Sequence, residues 1–271
     1  MITPQHAMIT GGSSGIGLAI ARRLAAQGTS LSLIARTPEK LAAAQLQIES
    51  KRQSPSQQVL TFAADVADRE QAEPAVQEAI AQLGPPDLLV TCAGIARPGE
   101  FLEIPTEVFE RTMAVNYFGT LYCIRAALPA MEQRRRGQIV CVSSGAGLVG
   151  LYGYTAYSPS KFALRGLAEA LRGELKPKGI GVSIVYPPDT DTPQLVEENK
   201  TKPLVTQKIT ATAKTWSADG VAEVILAGVQ RHAFAITPGF EMGALNRLHS
   251  VLLPLLSQYF DQITTKVINP R

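Results

Sequence analysis

The 271-residue sequence lacks the features that mark disulfide-rich, metal-binding, nucleic-acid-binding and secreted proteins. Its three cysteines and three histidines argue against a disulfide framework and give no spacing typical of a metal site. Its net charge of +3 is too small to indicate nucleic acid as a partner. The N-terminus lacks the charged and long apolar regions of a secretory signal, so we expect a cytoplasmic protein with reduced thiols.

What the sequence does contain is a regular alternation of two patterns, with 45% hydrophobic and 18% charged residues overall. Short apolar runs predict strands at 7–10, 31–35, 59–63, 88–91, 139–142, 182–186 and 234–236. Longer amphipathic stretches predict helices at 16–27, 38–50 and 69–83. We therefore predict an α/β fold in one domain, 1–271, built on a single Rossmann-type doubly wound parallel sheet of about seven strands with helices on both faces.

Two segments near the C-terminus depart from this alternation. The segment 193–216 is polar and rich in lysine, and we expect it to form a substrate lid, with an ordinary surface excursion as the alternative. The segment 241–271 is an apolar extension with leucines at helical spacing, interrupted by polar residues and by Pro254, which should kink a helix. It is too polar to span a bilayer, so we expect packing or oligomer contact, with a peripheral membrane anchor as the alternative.

The clearest motif is the glycine-rich string TGGSSGIG at 10–17, which lies between the first predicted strand and the first predicted helix. Its glycines permit backbone geometry that a Cβ would forbid and let a pyrophosphate approach closely. The helix N-terminus offers N–H groups and a positive partial charge to that phosphate. The residues expected to bind a dinucleotide here are Gly11, Ser13, Ser14, Gly15, Ile16 and Gly17.

The charge at the end of the second strand distinguishes the two nicotinamide dinucleotides. An NAD site would present a carboxylate to the ribose hydroxyls, but Arg36 stands there and Lys40 follows one helical turn later. Because a guanidinium binds a phosphate with two hydrogen bonds, we predict NADP(H); the alternative is that Arg36 is simply solvated. Asp65 is expected to accept a hydrogen bond from the adenine, and Ala93 and Gly94 to let the ribose pass closely.

Tyr157 and Lys161 are spaced four residues apart, so on a helix they share one face. A nearby ammonium favours phenolate, and we predict that the pKa of Tyr157 falls from about 10 toward neutrality. A tyrosine with such a pKa can give or take a proton at physiological pH. Next to a dinucleotide site, the pair indicates redox chemistry between a carbonyl and an alcohol.

These motifs together resemble the short-chain dehydrogenase/reductase family over roughly residues 5–200. The matching strings are TGGSSGIG at 10–17, DV at 65–66, CAG at 92–94, N at 116, SS at 143–144 and YSPSK at 157–161. The resemblance adds Val66 to the cofactor site and implies pairing into a dimer or tetramer through the helices that carry Asn116 and Tyr157.

The resemblance also implies a role for each catalytic residue. Tyr157 would protonate the carbonyl oxygen during reduction, and Ser144, rather than Ser143, would polarise that oxygen. Lys161 would lower the tyrosine pKa and hold the nicotinamide ribose. Asn116 would anchor a water that relays protons to Lys161. Hydride would come from the nicotinamide, so that the chain positions and protonates the substrate.

The string PPDTDTP at 187–193 stands where the family commonly has Pro-Gly. Pro187, Thr190 and Thr192 are expected to contact the cofactor, with the threonines bonding the nicotinamide carboxamide and the phosphates. The string and EENKTKP at 197–203 are similar to 3-ketodihydrosphingosine reductases, which implies a lipidic ketone with an amine and an NADPH-dependent reduction. The acidic residues that would suit this amine are Asp189, Asp191, Glu197 and Glu198.

Two other functions remain open from the sequence. The same scaffold could reduce a different ketone, such as a 3-oxoacyl thioester or a steroid. Less favoured is a non-enzymatic protein that binds NADP(H) and senses redox state, because the full set of Asn116, Ser144, Tyr157 and Lys161 is present.

Overall fold

The computed structural model describes residues 4–211 and 213–269. The strands are β1 (His6–Thr10), β2 (Ser30–Ala35), β3 (Val59–Ala63), β4 (Leu88–Thr91), β5 (Gly137–Val142), β6 (Ile180–Val185), β7 (Thr190–Asp191), β8 (Trp216–Ser217) and β9 (Ala235–Ile236). The helices are α1 (Gly15–Ala25), α2 (Pro38–Glu49), α3 (Arg69–Leu83), α4 (Thr106–Met113), α5 (Gly119–Arg134), α6 (Tyr157–Leu175), α7 (Pro193–Thr201), α8 (Leu204–Thr210), α9 (Ala218–Gln230) and α10 (Phe240–Ile268). A π-helical turn, Ala114–Phe118, joins α4 to α5.

The main sheet is parallel and has seven strands in the order β3-β2-β1-β4-β5-β6-β9. Every residue of β1 and of β4 is buried, as expected for central strands that are covered on both faces. Helices α3, α5 and α6 pack on one face of the sheet, and α1, α2 and α9 pack on the other. The predicted Rossmann-type sheet and its seven strands are confirmed.

The strand order reverses direction at β1, which lies between β2 and β4. In open parallel sheets, such a switch point leaves a crevice beyond the carboxyl ends of the strands, where ligands bind. The glycine-rich turn after β1 and the segment after β4 therefore meet at this crevice. It is the place where the predicted cofactor residues come together.

The segment predicted as a lid contains α7 and α8, and it ends in β8, which pairs with β7 in a small separate sheet. Helix α10 is one continuous element of 29 residues that passes through Pro254. It lies against α8. Within residues 4–211 and 213–269, we find no helix that is both long and apolar enough to cross a membrane. We refer to α7, α8 and α10 together as the C-terminal cap.

Candidate active site

Two adjoining cavities occupy the crevice at the switch point, one of about 520 Å³ and one of about 150 Å³. Their walls share Gly11, Ser14, Ala93 and Gly94, so the two cavities form one continuous cleft. The smaller cavity extends toward the ends of β2 and β3, and the larger one extends under the C-terminal cap. The cleft thus has a polar end and an end beneath the cap.

Glycine makes the turn after β1 possible. Gly11 and Gly15 have φ values of +68° and +53°, a region that other residues rarely adopt. A Cβ on Gly11 would lie 2.9 Å from the backbone of Ala93, across the floor of the cleft. A Cβ on Gly17 would lie 2.4 Å from the Gly11 carbonyl oxygen, so Gly17 lets α1 pack against the turn and does not itself line either cavity.

The other residues predicted for the cofactor line the cleft. Ser14 and Ile16 face the larger cavity, and Ser13 faces the smaller one. The smaller cavity also brings together Arg36, Lys40, Asp65 and Val66, as the sequence predicts. Two cations beside a hydroxyl and a glycine turn suit an additional phosphate on the ribose. The donor set and the bare backbone of the turn therefore fit NADP(H).

Asp65 has a partner that the sequence analysis missed. Its Oδ2 pairs with the Arg111 guanidinium from α4, and its Oδ1 accepts a hydrogen bond from the Ala67 backbone at 3.1 Å. Burial favours a higher pKa for Asp65, but these hydrogen bonds and the charges of Arg111 and Arg36 hold it below its usual value. The carboxylate is thus ionised and fixed in place at the wall of the smaller cavity.

Ser144, Tyr157 and Lys161 converge in the larger cavity. The Ser144 hydroxyl lies close enough to the Tyr157 phenol to lower its pKa, and the Lys161 Nζ lies 5.5 Å from the centre of the tyrosine ring. That Nζ donates to the Val142 carbonyl at 3.0 Å, which anchors the lysine at the end of β5. Both Tyr157 and Lys161 are buried, because the first turns of α6 face the sheet.

The predicted fall in the Tyr157 pKa is wrong in direction. Burial and the negative charge of Glu198 raise the pKa of Tyr157, and together they outweigh the polar groups of Ser144 and Gln194, which lower it. Burial also lowers the pKa of Lys161 to about 8, since a buried ammonium loses its hydration. The phenol is therefore protonated at neutral pH, which is the form that a proton donor needs.

The two neighbouring serines have different surroundings. The Ser143 hydroxyl donates to the Lys161 carbonyl at 2.9 Å, so it ties β5 to α6. The Ser144 hydroxyl accepts from the Ala146 backbone at 3.2 Å and faces Tyr157. The Ser144 hydroxyl therefore lies near the Tyr157 phenol, while the Ser143 hydroxyl makes a structural hydrogen bond.

Asn116 is fully buried in the π-helical turn, outside both cavity walls. Its Oδ1 accepts from the Ile95 backbone at 2.9 Å, and its Nδ2 donates to the Ile95 carbonyl at 3.0 Å and to Ser160 at 2.9 Å. The side chain thus fixes the segment after β4 to α6. Its role in a proton relay stays a prediction.

Pro187, Thr190 and Thr192 line the larger cavity, and both threonine hydroxyls have partners within the protein. The Thr190 hydroxyl donates to the Pro188 carbonyl at 2.8 Å, and the Thr192 hydroxyl donates to the Thr190 carbonyl at 3.2 Å. Thr192 also caps α7 by accepting from the Leu195 backbone at 3.3 Å. These bonds hold the loop that carries the cap close to Gly15.

Four acidic residues were candidates from the sequence, and the structure separates them. Asp191 and Glu197 are exposed, and Glu197 pairs with Lys200 at 2.6 Å on the surface. Asp189 and Glu198 line the larger cavity, and only Glu198 is buried.

The sequence analysis missed the neighbours of Glu198. Its carboxylate accepts from the Tyr154 hydroxyl at 2.9 Å and from the Gln194 amide at 2.8 Å. Gln194 lowers and Glu198 raises the pKa of the Tyr157 phenol, so both side chains lie near the catalytic group. Gln194 and Glu198 are four residues apart on α7, and this spacing was a signal that could have placed them on one face.

Helix α10 closes the larger cavity with an apolar face. The residues of α10 that line the cavity are Glu241, Met242, Ala244, Leu245, Leu252, Leu256 and Phe260. Other apolar residues of the same helix are exposed, among them Val251 at 74% and Leu255 at 65%. Both sides of α10 are thus apolar, and only one of them faces the cavity.

The fold and the site define a class of protein. The family model described as short chain dehydrogenase matches residues 5–203, and the chain belongs to this family. Among curated proteins, it is similar to the 3-dehydrosphinganine reductase of Danio rerio, with 45% identity over 96% of this chain and 79% of that protein. It is also similar to the 3-ketodihydrosphingosine reductase of Mus musculus, with 45% identity over 93% of this chain and 76% of that protein.

Solved structures with the same fold are more distant in sequence. A short-chain dehydrogenase from Sphingobium yanoikuyae in complex with NADPH is 26% identical, with a TM-score of 0.78 over 93% of this chain and 95% of that one. Levodione reductase is 25% identical, with a TM-score of 0.79 over 89% of this chain and 98% of that one.

Proposed function

We propose that this protein reduces a long-chain 2-amino-3-ketone, 3-ketodihydrosphingosine, to the corresponding alcohol with NADPH, a step in the biosynthesis of sphingolipids. The names of the curated relatives support this substrate, since the chain spans more than three quarters of their length. The NADPH complex of the related short-chain dehydrogenase supports the cofactor, as do Arg36 and Lys40 at the smaller cavity.

The observation that carries the proposal is the composition of one cavity. A proton donor, Tyr157, lies at its inner end, and the apolar face of α10 forms its wall. A ketone with a long alkyl chain fits such a cavity because the chain is removed from water while the carbonyl meets the phenol. Burying each methylene of the alkyl chain contributes about 0.8 kcal/mol to the binding of the ketone.

The residues of the chain handle the proton and the carbonyl. Bound NADPH supplies hydride, and the protein supplies the rest. Tyr157 donates its proton to the carbonyl oxygen as negative charge develops there, and Ser144 donates a hydrogen bond to the same oxygen. Lys161, held by the Val142 carbonyl, keeps a cation beside the phenol and offers donors to the cofactor ribose. Asn116 would anchor a water that relays protons to Lys161.

The remaining residues at the cleft would hold the cofactor. Gly11, Ser13, Ser14, Gly15 and Ile16 would bind the pyrophosphate at the N-terminus of α1. Asp65 and Val66 would contact the adenine, Ala93 and Gly94 the ribose, and Thr190 and Thr192 the nicotinamide and the phosphates. Gly17 acts indirectly, by allowing α1 to approach the turn.

The chain is proposed to act as one domain in which α7 and α8 serve as the substrate lid. Exposed aromatic side chains at Phe118 and Phe162 support pairing through the α5 and α6 helices into a dimer or tetramer. The exposed apolar side of α10 supports peripheral contact with a membrane, from which a lipidic substrate would enter. Three free cysteines support a reducing compartment, the cytoplasm.

A panel of ketones tests the function. The purified protein is incubated with NADPH and either 3-ketodihydrosphingosine or an acetoacetyl thioester, and NADPH oxidation is followed by absorbance. We expect turnover with the amino ketone and little with the thioester. Activity on the thioester alone would contradict the proposed substrate.

A further inference from the structure

A buried carboxylate, that of Glu198, lies near the catalytic phenol and has no ion-pair partner among the described residues, although the charge of Lys202 acts on it. Glu198 is 8% exposed and lines the larger cavity. In the part of the chain that the structure describes, no cation lies within 4.0 Å of its oxygens. The nearby Lys202 instead has its Nζ 3.9 Å from Asp189.

The hydrogen bonds of Glu198 leave room for another donor. Oε2 accepts from the Tyr154 hydroxyl at 2.9 Å, and Oε1 accepts from the Gln194 amide at 2.8 Å. A carboxylate has about four lone-pair sites, so about two are open toward the cavity. Burial of a charged group is costly unless a partner compensates it, and neutral donors compensate only in part.

The position of Glu198 relative to Tyr157 indicates what that partner is. Tyr154 connects the two residues, because its hydroxyl bonds the Glu198 carboxylate and its ring lies 5.7 Å from the ring of Tyr157, the residue that protonates the ketone. In a 2-amino-3-ketone, the carbon that bears nitrogen is bonded directly to the carbonyl carbon. A ketone whose oxygen meets Tyr157 would therefore carry its ammonium into the cavity that Glu198 also lines.

We propose that Glu198 binds the ammonium group of the amino ketone and so selects amino ketones over neutral ketones of equal length. This inference rests on the proposed function. Tyr154 and Gln194 are positioning residues, since they hold the carboxylate from two sides. A neutral ketone would bury the carboxylate against an apolar group, so the same residue repels the wrong substrate.

The test compares two ketones of equal chain length, 3-ketodihydrosphingosine and its analogue without the amine, with NADPH as reductant. We expect Glu198→Gln to lower kcat/KM for the amino ketone at least about tenfold and not to lower kcat/KM for the analogue, which no longer buries an unpaired charge. Glu197→Gln is the matched control, because it changes an exposed carboxylate on the same helix, and should leave both values unchanged.

The outcomes separate the inference from the function on which it rests. An equal loss with both ketones would overturn the inference, because Glu198 would then act on Tyr157 and not on the amine. No loss with either ketone would overturn it as well. If the unaltered protein reduces neither ketone, the proposed function itself fails, and the inference fails with it.

A second measurement uses only the unaltered protein, in case Glu198→Gln does not fold. The product dihydrosphingosine and its N-acetyl derivative, which carries no charge on nitrogen, are compared as inhibitors. We expect the free amine to inhibit at least about tenfold more strongly. Equal inhibition by the two compounds would overturn the role of Glu198.

Discussion

The two ends of the cleft are built on different principles. In α1, beside the cofactor turn, six of 11 residues are buried, and glycines stand where a Cβ would collide with backbone. In α10, on the substrate side, none of the 29 residues is buried, and the contacts are made by an apolar face. Where two backbone segments approach closely, few residue types other than glycine fit, whereas an apolar wall accepts many apolar side chains of similar size. The cofactor end therefore has a sequence motif, and α10 has none.

The largest expected effect falls at the junction of the two ends. Tyr157→Phe removes the proton donor, and we expect kcat to fall by about 10²- to 10⁴-fold. Affinity for NADPH, measured by fluorescence titration, should change little. Retained turnover together with weakened NADPH binding would contradict the assignment of Tyr157 as the acid.

The next effect belongs to the cofactor end alone. Arg36→Ala removes a guanidinium from the smaller cavity, and we expect the KM for NADPH to rise by about 10- to 100-fold, while the KM for NADH changes little. Steady-state kinetics with both cofactors measure this difference. Arg69→Ala, which removes an exposed guanidinium paired with Glu73, is the control. Equal changes for NADPH and NADH would refute the phosphate contact.

The C-terminal cap should respond to substrate and not to cofactor. Leu256→Ala shortens a side chain that lines the larger cavity, and we expect the KM for the long-chain ketone to rise by about tenfold with the KM for NADPH unchanged. Leu46→Ala makes the same change at an exposed leucine of α2 and should alter neither value. A rise in the KM for NADPH in Leu256→Ala would contradict the separation of the cleft into a cofactor end and a substrate end.

The smallest effect concerns the ion pair beside the adenine site. Arg111→Ala frees Asp65, and because the pair is partly exposed we expect the KM for NADPH to rise only by severalfold, about 1 kcal/mol or less, with kcat unchanged. The same kinetic assay measures it. An effect as large as that of Arg36→Ala would mean that Arg111 binds the cofactor directly.

The comparison also explains what the sequence could predict. All seven strands of the sheet were predictable, because buried parallel strands are continuous apolar runs between helical patterns. The glycine turn and the pair of Tyr157 and Lys161 could be located because their chemistry fixes their spacing. The direction in which the pKa of Tyr157 shifts could not be predicted, because it depends on burial and on Glu198, which is distant in the chain.

The cap could be predicted only in part. Leucines at helical spacing indicated α10, but which of its two apolar sides faces the cavity is decided by packing against α8. The four acidic candidates near residue 190 could not be ranked from composition. Only the placement of α7 buries Glu198 and leaves Glu197 in solvent.

A structure of the inactive Tyr157→Phe variant with NADPH and 3-ketodihydrosphingosine tests the central claim most directly. We predict that the ketone oxygen lies within hydrogen-bond distance of the Ser144 hydroxyl and that the alkyl chain lies along the cavity face of α10. An alkyl chain that leaves the cleft by another route, with the carbonyl away from Ser144, would contradict this prediction.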